Sequence, residues 1–193
     1  MARTVAKADG VDRAELLEFI RPRQHMILST VRSDGSPQMS PVTGGVDEQG
    51  RIVISTYPGR AKAANLRHTP VASVVVLSDD FNGAWVQVDG DAEVLDMPEA
   101  EDALVDYFRS ISGEHPDWDE YRAAMRTQGK SLIRITPTRW GPVATGGFPA
   151  EVAARRGRGD APIAERSRGE AAALARRLWD AEAALVDELA DDL

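Results

Sequence analysis

Cysteine is absent from this sequence of 193 residues, and histidine occurs only three times. Without cysteine the chain can form no disulfide, use no thiolate nucleophile and offer no sulfur ligand to a metal. The histidines are His25, His68 and His115, and no two of them share a spacing typical of paired metal ligands. We therefore expect no metal site, and the lack of cysteine fits the cytoplasmic location that we expect.

Long apolar runs and a basic charge balance are also missing. No segment approaches the roughly 20 apolar residues of a membrane-spanning helix, and the first residues lack the apolar core of a signal peptide. The net charge of −8 argues against a general nucleic-acid binder. The sequence contains no Gly-x-Ser-x-Gly elbow, no GxGxxG and no Walker motif. We therefore expect neither membrane nor nucleic-acid partners, and no Rossmann or P-loop nucleotide site.

The segment 51–76 is the most informative stretch that is present, and it predicts a strand, a tight turn, a short helix and a second strand. Pro58 and Gly59 predict a type II turn before the helix. Arg60 and Lys62 then lie in the first helical turn, where the helix dipole disfavours cations. In an acidic protein such a pair indicates a bound anion, such as a phosphate. A solvated basic turn is the alternative interpretation.

Alternating polar and apolar residues mark further strands. In the return strand of a predicted hairpin, Gln38 and Ser40 alternate with Met39, so that one face of the strand is polar. This strand either borders a ligand or forms an exposed edge of the sheet. Trp85 lies in another alternating segment and is either a core or dimer contact or a platform for a ligand. Together the pattern predicts an antiparallel sheet of six strands, which is large enough to curl or close.

The predicted organisation is mainly β with flanking helices, followed by a C-terminal helical extension. Residues 1–12 are expected to be a flexible start, 13–142 the main domain, 143–162 a loop or linker, and 163–193 a helix. The leucine and alanine stripe of the last segment is typical of a helix that packs on its own domain or on a second subunit.

Four sequence segments carry a resemblance to a known family. They are LSTVRSDGSPQMSPV, IVISTYPGRAKAANLRHTPVASVVV, WVQVDGDAEV, and GEHPDWDEYRAAM followed by SLIRITPTRWG. They resemble the pyridoxamine 5'-phosphate oxidase-like, flavin-reductase split-barrel superfamily over about residues 14–142. The R-x-K-x-x-N-L pattern is fairly specific to the superfamily. The GEHPDWDEY segment is closest to the actinobacterial branch that uses the deazaflavin coenzyme F420.

The resemblance implies a six-stranded antiparallel split β-barrel, as in FMN-binding split barrels, and an obligate homodimer with two cofactor sites at its interface. The implied reaction is hydride transfer from reduced coenzyme F420 to an electron-poor small molecule. Candidate acceptors are an enone, a quinone, a nitro compound or a tetrapyrrole. No side chain is assigned as a catalytic acid, because solvent can supply the proton.

The resemblance also assigns residues to the cofactor site. Two cations hold the phosphate, three strand residues offer backbone groups to the ring, and two polar side chains line it. An amide braces the phosphate turn, and an aromatic residue comes from the partner subunit. The cations that hold the phosphate are Arg60 and Lys62, and the strand residues that offer backbone groups are Ile54, Ser55 and Thr56. The polar side chains that line the ring are Gln38 and Ser40, the amide is Asn65, and the aromatic residue is Trp85.

Several other functions remain open from the sequence. The same fold could serve an FMN-dependent oxidase or reductase, or a non-catalytic protein that binds flavin, deazaflavin or haem. A haem protein would require an axial histidine, and none of the three is well placed for that role. In a further interpretation the C-terminal helix is the functional part and recruits a partner protein. His115 is expected to be a surface or packing residue, since no partner base or nucleophile can be assigned to it.

Overall fold

The computed structural model describes residues 5–80 and 82–148, and all structural statements below concern these ranges. The four helices are α1 (Arg13–Ile20), α2 (Ala61–His68), α3 (Ala100–Ser112) and α4 (Trp118–Gln128). The strands are β1 (Lys7–Asp9), β2 (His25–Val31), β3 (Pro37–Thr43), β4 (Gly45–Val46), β5 (Ile52–Thr56), β6 (Val71–Leu77), β7 (Ala84–Leu95), β8 (Ser131–Trp140) and β9 (Val143–Thr145). No helix in the part of the chain covered by the structure is both long and apolar enough to cross a membrane.

One curled antiparallel sheet organises the domain. Its strands follow the order β3-β2-β6-β7-β8-β5-β4, while β9 pairs with β7 and with β1. Although β3 and β4 lie at opposite ends of this order, only Gly44 separates them in the chain. The two ends of the sheet must therefore meet at Gly44, which closes the sheet into a half-barrel. The predicted fold class, mainly β with flanking helices in a split barrel, is confirmed, although the sheet has nine strands instead of six.

The alternation read from the sequence determines which side chains fill the barrel. In β2 and β6 every second residue is buried and its neighbours lie on the outer face, as expected for strands with one covered face. The apolar faces of α1 and α2 cover the inside of the sheet. The largest fully buried side chains of this core include Leu16, Ile20, Met26, Leu28, Ile54 and Leu66.

A second, smaller core lies where α3 and α4 pack against β5 and β8. Val53 and Leu132 meet Leu104 and Tyr121 there, and all four are buried. His115 packs against this group, with its ring centroid 5.2 Å from that of Phe108. Its Nδ1 accepts a hydrogen bond from the Asp117 backbone at 3.0 Å. The structure thus places His115 as a packing residue, in agreement with the expectation.

Local sequence signals explain the start of α1 and the turn between β2 and β3. At the start of α1, Asp12 accepts a hydrogen bond from the Glu15 backbone, and the Glu15 carboxylate accepts one from the Asp12 backbone, each at 2.9 Å. This capping box satisfies two otherwise free N–H groups. Between β2 and β3 the chain reverses at Gly35, whose φ of +82° favours glycine.

The structure differs from the prediction in three places. Lys7–Asp9 and Val143–Thr145 form the paired strands β1 and β9, although their ranges were expected to be a flexible start and a loop. Arg60 N bonds to Tyr57 O at 3.1 Å, but Gly59 lacks the positive φ that a type II turn requires, so the predicted turn type is wrong. The predicted C-terminal helix, 163–193, and most of the predicted linker lie outside the described residues.

Candidate functional site

The barrel is split between β3 and β5. β3 pairs only with β2, so its second edge carries no strand partner among the described residues. β5 pairs with β8 along its length and with β4 only at Ile52 and Val53. Residues 54–56 therefore also present a free strand edge, next to that of β3. Two such edges offer rows of backbone donors and acceptors, which a planar ligand with polar edges could satisfy.

Tyr107, from α3, lies at the end of the split where β3 ends. Its hydroxyl donates to the Thr43 carbonyl at 3.1 Å, at the last residue of β3. Burial raises the pKa of the Tyr107 hydroxyl, and a hydrogen bond with the Ser55 backbone partly offsets this effect. The Tyr107 side chain thus bridges the two strands where they would otherwise pair. The backbone of Ser55, which the family resemblance assigns to the ligand, is already partly engaged by Tyr107.

A segment that we call the cationic turn, residues 57–62, connects β5 to α2. Arg60 is the N-cap of α2, and no side chain caps the helix. In the residues described here, no hydrogen bond occupies the backbone N–H groups of Ala61 or Lys62. These groups and the positive end of the helix dipole are directed toward the space in front of the turn. The geometry is that of an anion-binding helix N-terminus.

The two cations of the turn lack compensating charges. Within residues 5–80 and 82–148 no carboxylate lies at ion-pair distance from Arg60 or Lys62. Arg60 is exposed and Lys62 is half-buried. Burial and, to a smaller extent, the positive charge of Arg60 lower the pKa of the Lys62 ammonium. Because desolvation and like charge both oppose the charged form, a bound anion would relieve an existing electrostatic cost.

A chain of hydrogen bonds links α2 to the polar face of β3. Asn65 Nδ2 donates to Thr30 Oγ1 at 3.0 Å, and Thr30 Oγ1 donates to Gln38 Oε1 at 3.2 Å. Thr30 is only 1% exposed, so its hydroxyl depends on these two partners. We call this chain the Asn65–Thr30–Gln38 relay. It brings two predicted site residues together through a third, Thr30, that the sequence analysis did not single out.

Ser40 lies two residues beyond Gln38 on the same face of β3. Its hydroxyl is buried and has no hydrogen-bond partner. A buried polar atom without a partner is uncommon and costs about 1–3 kcal/mol. Such an atom at the split fits a group that receives its hydrogen bond from a bound ligand.

The remaining predicted residues occupy two different places. Ile54 and Thr56 are buried in β5 at the split, whereas Trp85 lies on the outer face of β7, away from the barrel interior. Trp85 lines an outer cleft of about 370 Å³ together with Trp140 and Arg139. Within one chain, Trp85 is therefore separated from Gln38 and Ser40 by the wall of the barrel.

A further cleft lies on the same outer face, next to the Trp85 cleft. It has a volume of about 490 Å³ and surrounds Asp89, which accepts hydrogen bonds from Ser73, Gln87 and Arg139. Burial raises the pKa of Asp89, but these three hydrogen bonds outweigh it and lower the pKa overall. Since Asp89 already has these three donors, it is not a free acid for catalysis.

In the described ranges, no three His, Asp or Glu side chains come together in a group that could hold a metal ion. His25 lies 3.4 Å from Asp79 at the surface, His68 is exposed at the end of α2, and His115 is packed among aromatic rings. The features that remain are the anion-binding turn, the two free strand edges and the unpartnered Ser40 hydroxyl.

Arg67 is a second residue that the sequence analysis missed. It donates from Nη1 to the Pro58 carbonyl in the cationic turn at 2.9 Å. An arginine in the last turn of a helix is expected there in any case, because it complements the dipole, so the sequence carries no signal for this contact. The sequence did carry a signal for Thr30, because a polar residue stands there at a position where the alternation of β2 predicts burial.

Comparison with known proteins identifies relatives of this fold. The family model described as pyridoxamine 5'-phosphate oxidase matches residues 13–144. Among solved structures, a conserved hypothetical protein from Mycobacterium tuberculosis is 23% identical with a TM-score of 0.59, covering 72% of this chain and 89% of that one. HutZ, the heme storage protein from Vibrio cholerae, is 20% identical with a TM-score of 0.53, covering 72% and 96%. At these identities the two structures support the fold alone.

Proposed function

Because the chain belongs to the pyridoxamine 5'-phosphate oxidase family, whose model spans residues 13–144, we propose that it is an oxidoreductase using coenzyme F420. It transfers a hydride from the reduced coenzyme to an electron-poor small molecule such as an enone, a quinone, a nitro compound or a tetrapyrrole. The observation that carries the proposal is the pair Arg60 and Lys62, which has no carboxylate partner among the described residues and lies at an uncapped helix N-terminus beside the split.

The residues present fit a phosphate-bearing, ring-containing coenzyme. Arg60, Lys62 and the free N–H groups of the helix hold the phosphate, with charge-assisted hydrogen bonds. The edge of residues 54–56, which has no strand partner in the described part of the chain but is engaged by Tyr107 at Ser55, and the Ser40 hydroxyl would lie beside a ring bound in the split. A polar ring edge would supply the hydrogen bond that Ser40 lacks.

When bound, the reduced deazaflavin supplies the hydride. The protein contributes orientation and the exclusion of water from one side of the ring. The Asn65–Thr30–Gln38 relay holds Gln38 in one orientation at the split, and Ser40 would offer its hydroxyl to a polar edge of the ring. Among the residues that the structure describes, no side chain at the split has the partners of a general acid, and in this mechanism the proton comes from solvent.

The proposal includes a homodimer in which Trp85 of one protomer completes the site of its partner. Its support is the outer face of the sheet, which exposes large apolar side chains on three strands. Met39 on β3, Val71 on β6 and Trp85 on β7 are 66%, 45% and 39% exposed. These side chains lie apart on the face, with the polar Ser73 and Gln87 between Val71 and Trp85, and a face that mixes apolar and polar side chains is common in protein interfaces. A second copy would cover this face and bring its own Trp85 near the site of the first protomer. The Trp85 of the first protomer cannot reach that site, because the wall of the barrel lies between them.

FMN is the main alternative coenzyme, because Arg60 and Lys62 would hold its phosphate equally well. A non-catalytic haem protein is less well supported, since haem requires an axial ligand. His25 is paired with Asp79, and His115 is packed between aromatic rings. Neither of these histidines is free to bind iron without a rearrangement, and the exposed His68 lies at the opposite end of α2 from the cationic turn.

Equilibrium binding decides among these ligands. Purified protein is titrated with coenzyme F420, FMN and haem, with fluorescence or absorbance as the signal. We expect the deazaflavin to bind most tightly, and the loaded protein to oxidise the reduced coenzyme when electron-poor acceptors are added. Equal and weak binding of all three ligands would contradict the proposal, as would tight binding of coenzyme F420 without turnover of any acceptor class.

A further inference from the structure

Arg67 connects the far end of α2 to the cationic turn. Its Nη1 donates to the Pro58 carbonyl at 2.9 Å, and its Nη2 donates to the two carboxylate oxygens of Asp96 at 2.8 and 2.9 Å. The side chain therefore lies back along its own helix and contacts a residue nine positions earlier in the chain.

Asp96 is itself anchored to the sheet. It directly follows the last residue of β7, and its carboxylate accepts a hydrogen bond from the hydroxyl of Ser131, the first residue of β8. Ser131 is fully buried. The hydrogen bond from Ser131 and then the contact with Arg67 lower the pKa of Asp96, so the carboxylate is charged at neutral pH. The Ser131–Asp96–Arg67 chain, which we call the brace, thus ties the turn to two strands of the barrel.

Two other side-chain contacts of the turn are both made by Tyr57, whose hydroxyl donates to Gln128 Oε1 at 3.3 Å and whose ring centroid lies 3.8 Å from Lys130 Nζ. One backbone hydrogen bond, from Arg60 N to Tyr57 O, closes the turn. A Cβ at Gly59 would meet no atom within 4 Å, so the space beside its Cα is open. In the described part of the chain, Arg67 is the side chain that donates to the turn's backbone.

We propose that Arg67 is a positioning residue that, with Asp96, holds the cationic turn in the conformation that binds an anion. This inference rests on the proposed function, because it assigns the turn an anion to bind. Arg67 acts through the Pro58 carbonyl and does not contact the ligand. A turn fixed before binding loses less entropy when the ligand arrives, and so binds it more tightly.

Two substitutions with opposite charge effects separate positioning from simple attraction. Arg67→Gln removes a positive charge near the turn, and Asp96→Asn removes a negative one. If only the local charge mattered, Arg67→Gln would weaken anion binding and Asp96→Asn would strengthen it. If the brace positions the turn, both substitutions weaken binding. The double variant then binds about as weakly as either single variant, because both substitutions break the same chain of contacts.

The test measures affinity for coenzyme F420 and for inorganic phosphate by calorimetry in the full-length single and double variants. Loss of about one net hydrogen bond predicts roughly fivefold weaker binding in each single variant, and a double variant similar to either one. Arg67→Lys, which keeps the charge but not the forked contact, should recover only part of the affinity. Binding by Asp96→Asn that equals or exceeds that of the wild type would overturn the proposal.

Amide hydrogen exchange without ligand separates this inference from the proposed function. The amides of Arg60, Ala63 and Ala64, which are hydrogen-bonded within the turn and first helical turn, should exchange faster in both single variants. Amides in β6 should be unchanged, which controls for global destabilisation. Unchanged exchange at the turn would overturn the positioning role. Faster exchange in a protein that binds no coenzyme would support the brace and refute only the coenzyme assignment.

Discussion

Thr30→Val tests whether the Asn65–Thr30–Gln38 relay holds the helix and the split together. Valine has nearly the shape of threonine, so packing around this 1%-exposed side chain is preserved while the hydroxyl is lost. The substitution leaves one donor, Asn65 Nδ2, and one acceptor, Gln38 Oε1, without the partner that each has at 3.0 and 3.2 Å. Both residues are half-buried, so water can replace part of what is lost.

The expected cost follows from these contacts. An unsatisfied buried polar group costs about 1–3 kcal/mol, and partial access to water places each of the two at the lower end. Thr30→Val should therefore reduce the free energy of unfolding by about 2 kcal/mol. Thr30→Ser keeps the hydroxyl and removes one buried methyl group, for a cost of about 1 kcal/mol.

Urea denaturation measures both variants, with equal m-values as the check that the unfolding transition is unchanged. A double-mutant cycle with Asn65→Ala should show coupling between the two sites. Ser29→Ala, on the outer face of the same strand, serves as the control. The reasoning is refuted if Thr30→Val is as stable as the wild type, or if Thr30→Ser is the more damaging of the two.

Three further outcomes follow from the structure. Gly90→Ala should cost about 2 kcal/mol or more in thermal unfolding, because a Cβ there would lie 2.3 Å from the Thr136 carbonyl oxygen, whereas Gly59→Ala should be nearly neutral. The Ser131 hydroxyl and the Arg67 guanidinium lower the pKa of Asp96 below its ordinary value of 3.8. The Asp96 carboxylate therefore contributes to the free energy of unfolding above pH 3.8, and this contribution is lost as the pH falls through the lowered pKa. The cost of Asp96→Asn in urea denaturation should therefore shrink below about pH 4; a constant cost would contradict this. Burial raises the pKa of Tyr121 to about 12, so absorbance titration should show it ionising last, and Tyr121→Phe should remove that step.

The sequence predicted the parts of this fold that depend on local pattern. Alternation in β2 and β6 marks the strands, and the Asp12–Glu15 spacing marks the start of α1, because each signal is complete within a few residues. The pairing of β1 with β9 was missed, since it joins segments at opposite ends of the domain and neither has a strong pattern of its own. The type of the turn at Gly59 was missed for a different reason, because glycine adopts either sign of φ and the sequence does not select one.

The candidate site shows the same division. Arg60 and Lys62 stood out because both cations oppose a helix dipole in a chain whose net charge is −8. The brace could not be predicted, because Arg67 and Asp96 are 29 residues apart and meet only after the sheet has formed. Pairs of this kind depend on the register of β7 and β8.

The most direct test of the account compares two charge-matched double variants. Arg60→Gln/Lys62→Gln removes the cations of the turn, while Lys7→Gln/Arg21→Gln removes two exposed cations that have no carboxylate partner among the described residues. Both lower the net charge equally. We expect the first to weaken coenzyme F420 binding by more than about a hundredfold, through the loss of two charge-assisted contacts, and the second to change it little. Equal affinities in the two variants would contradict the assignment of the cationic turn as the anion site.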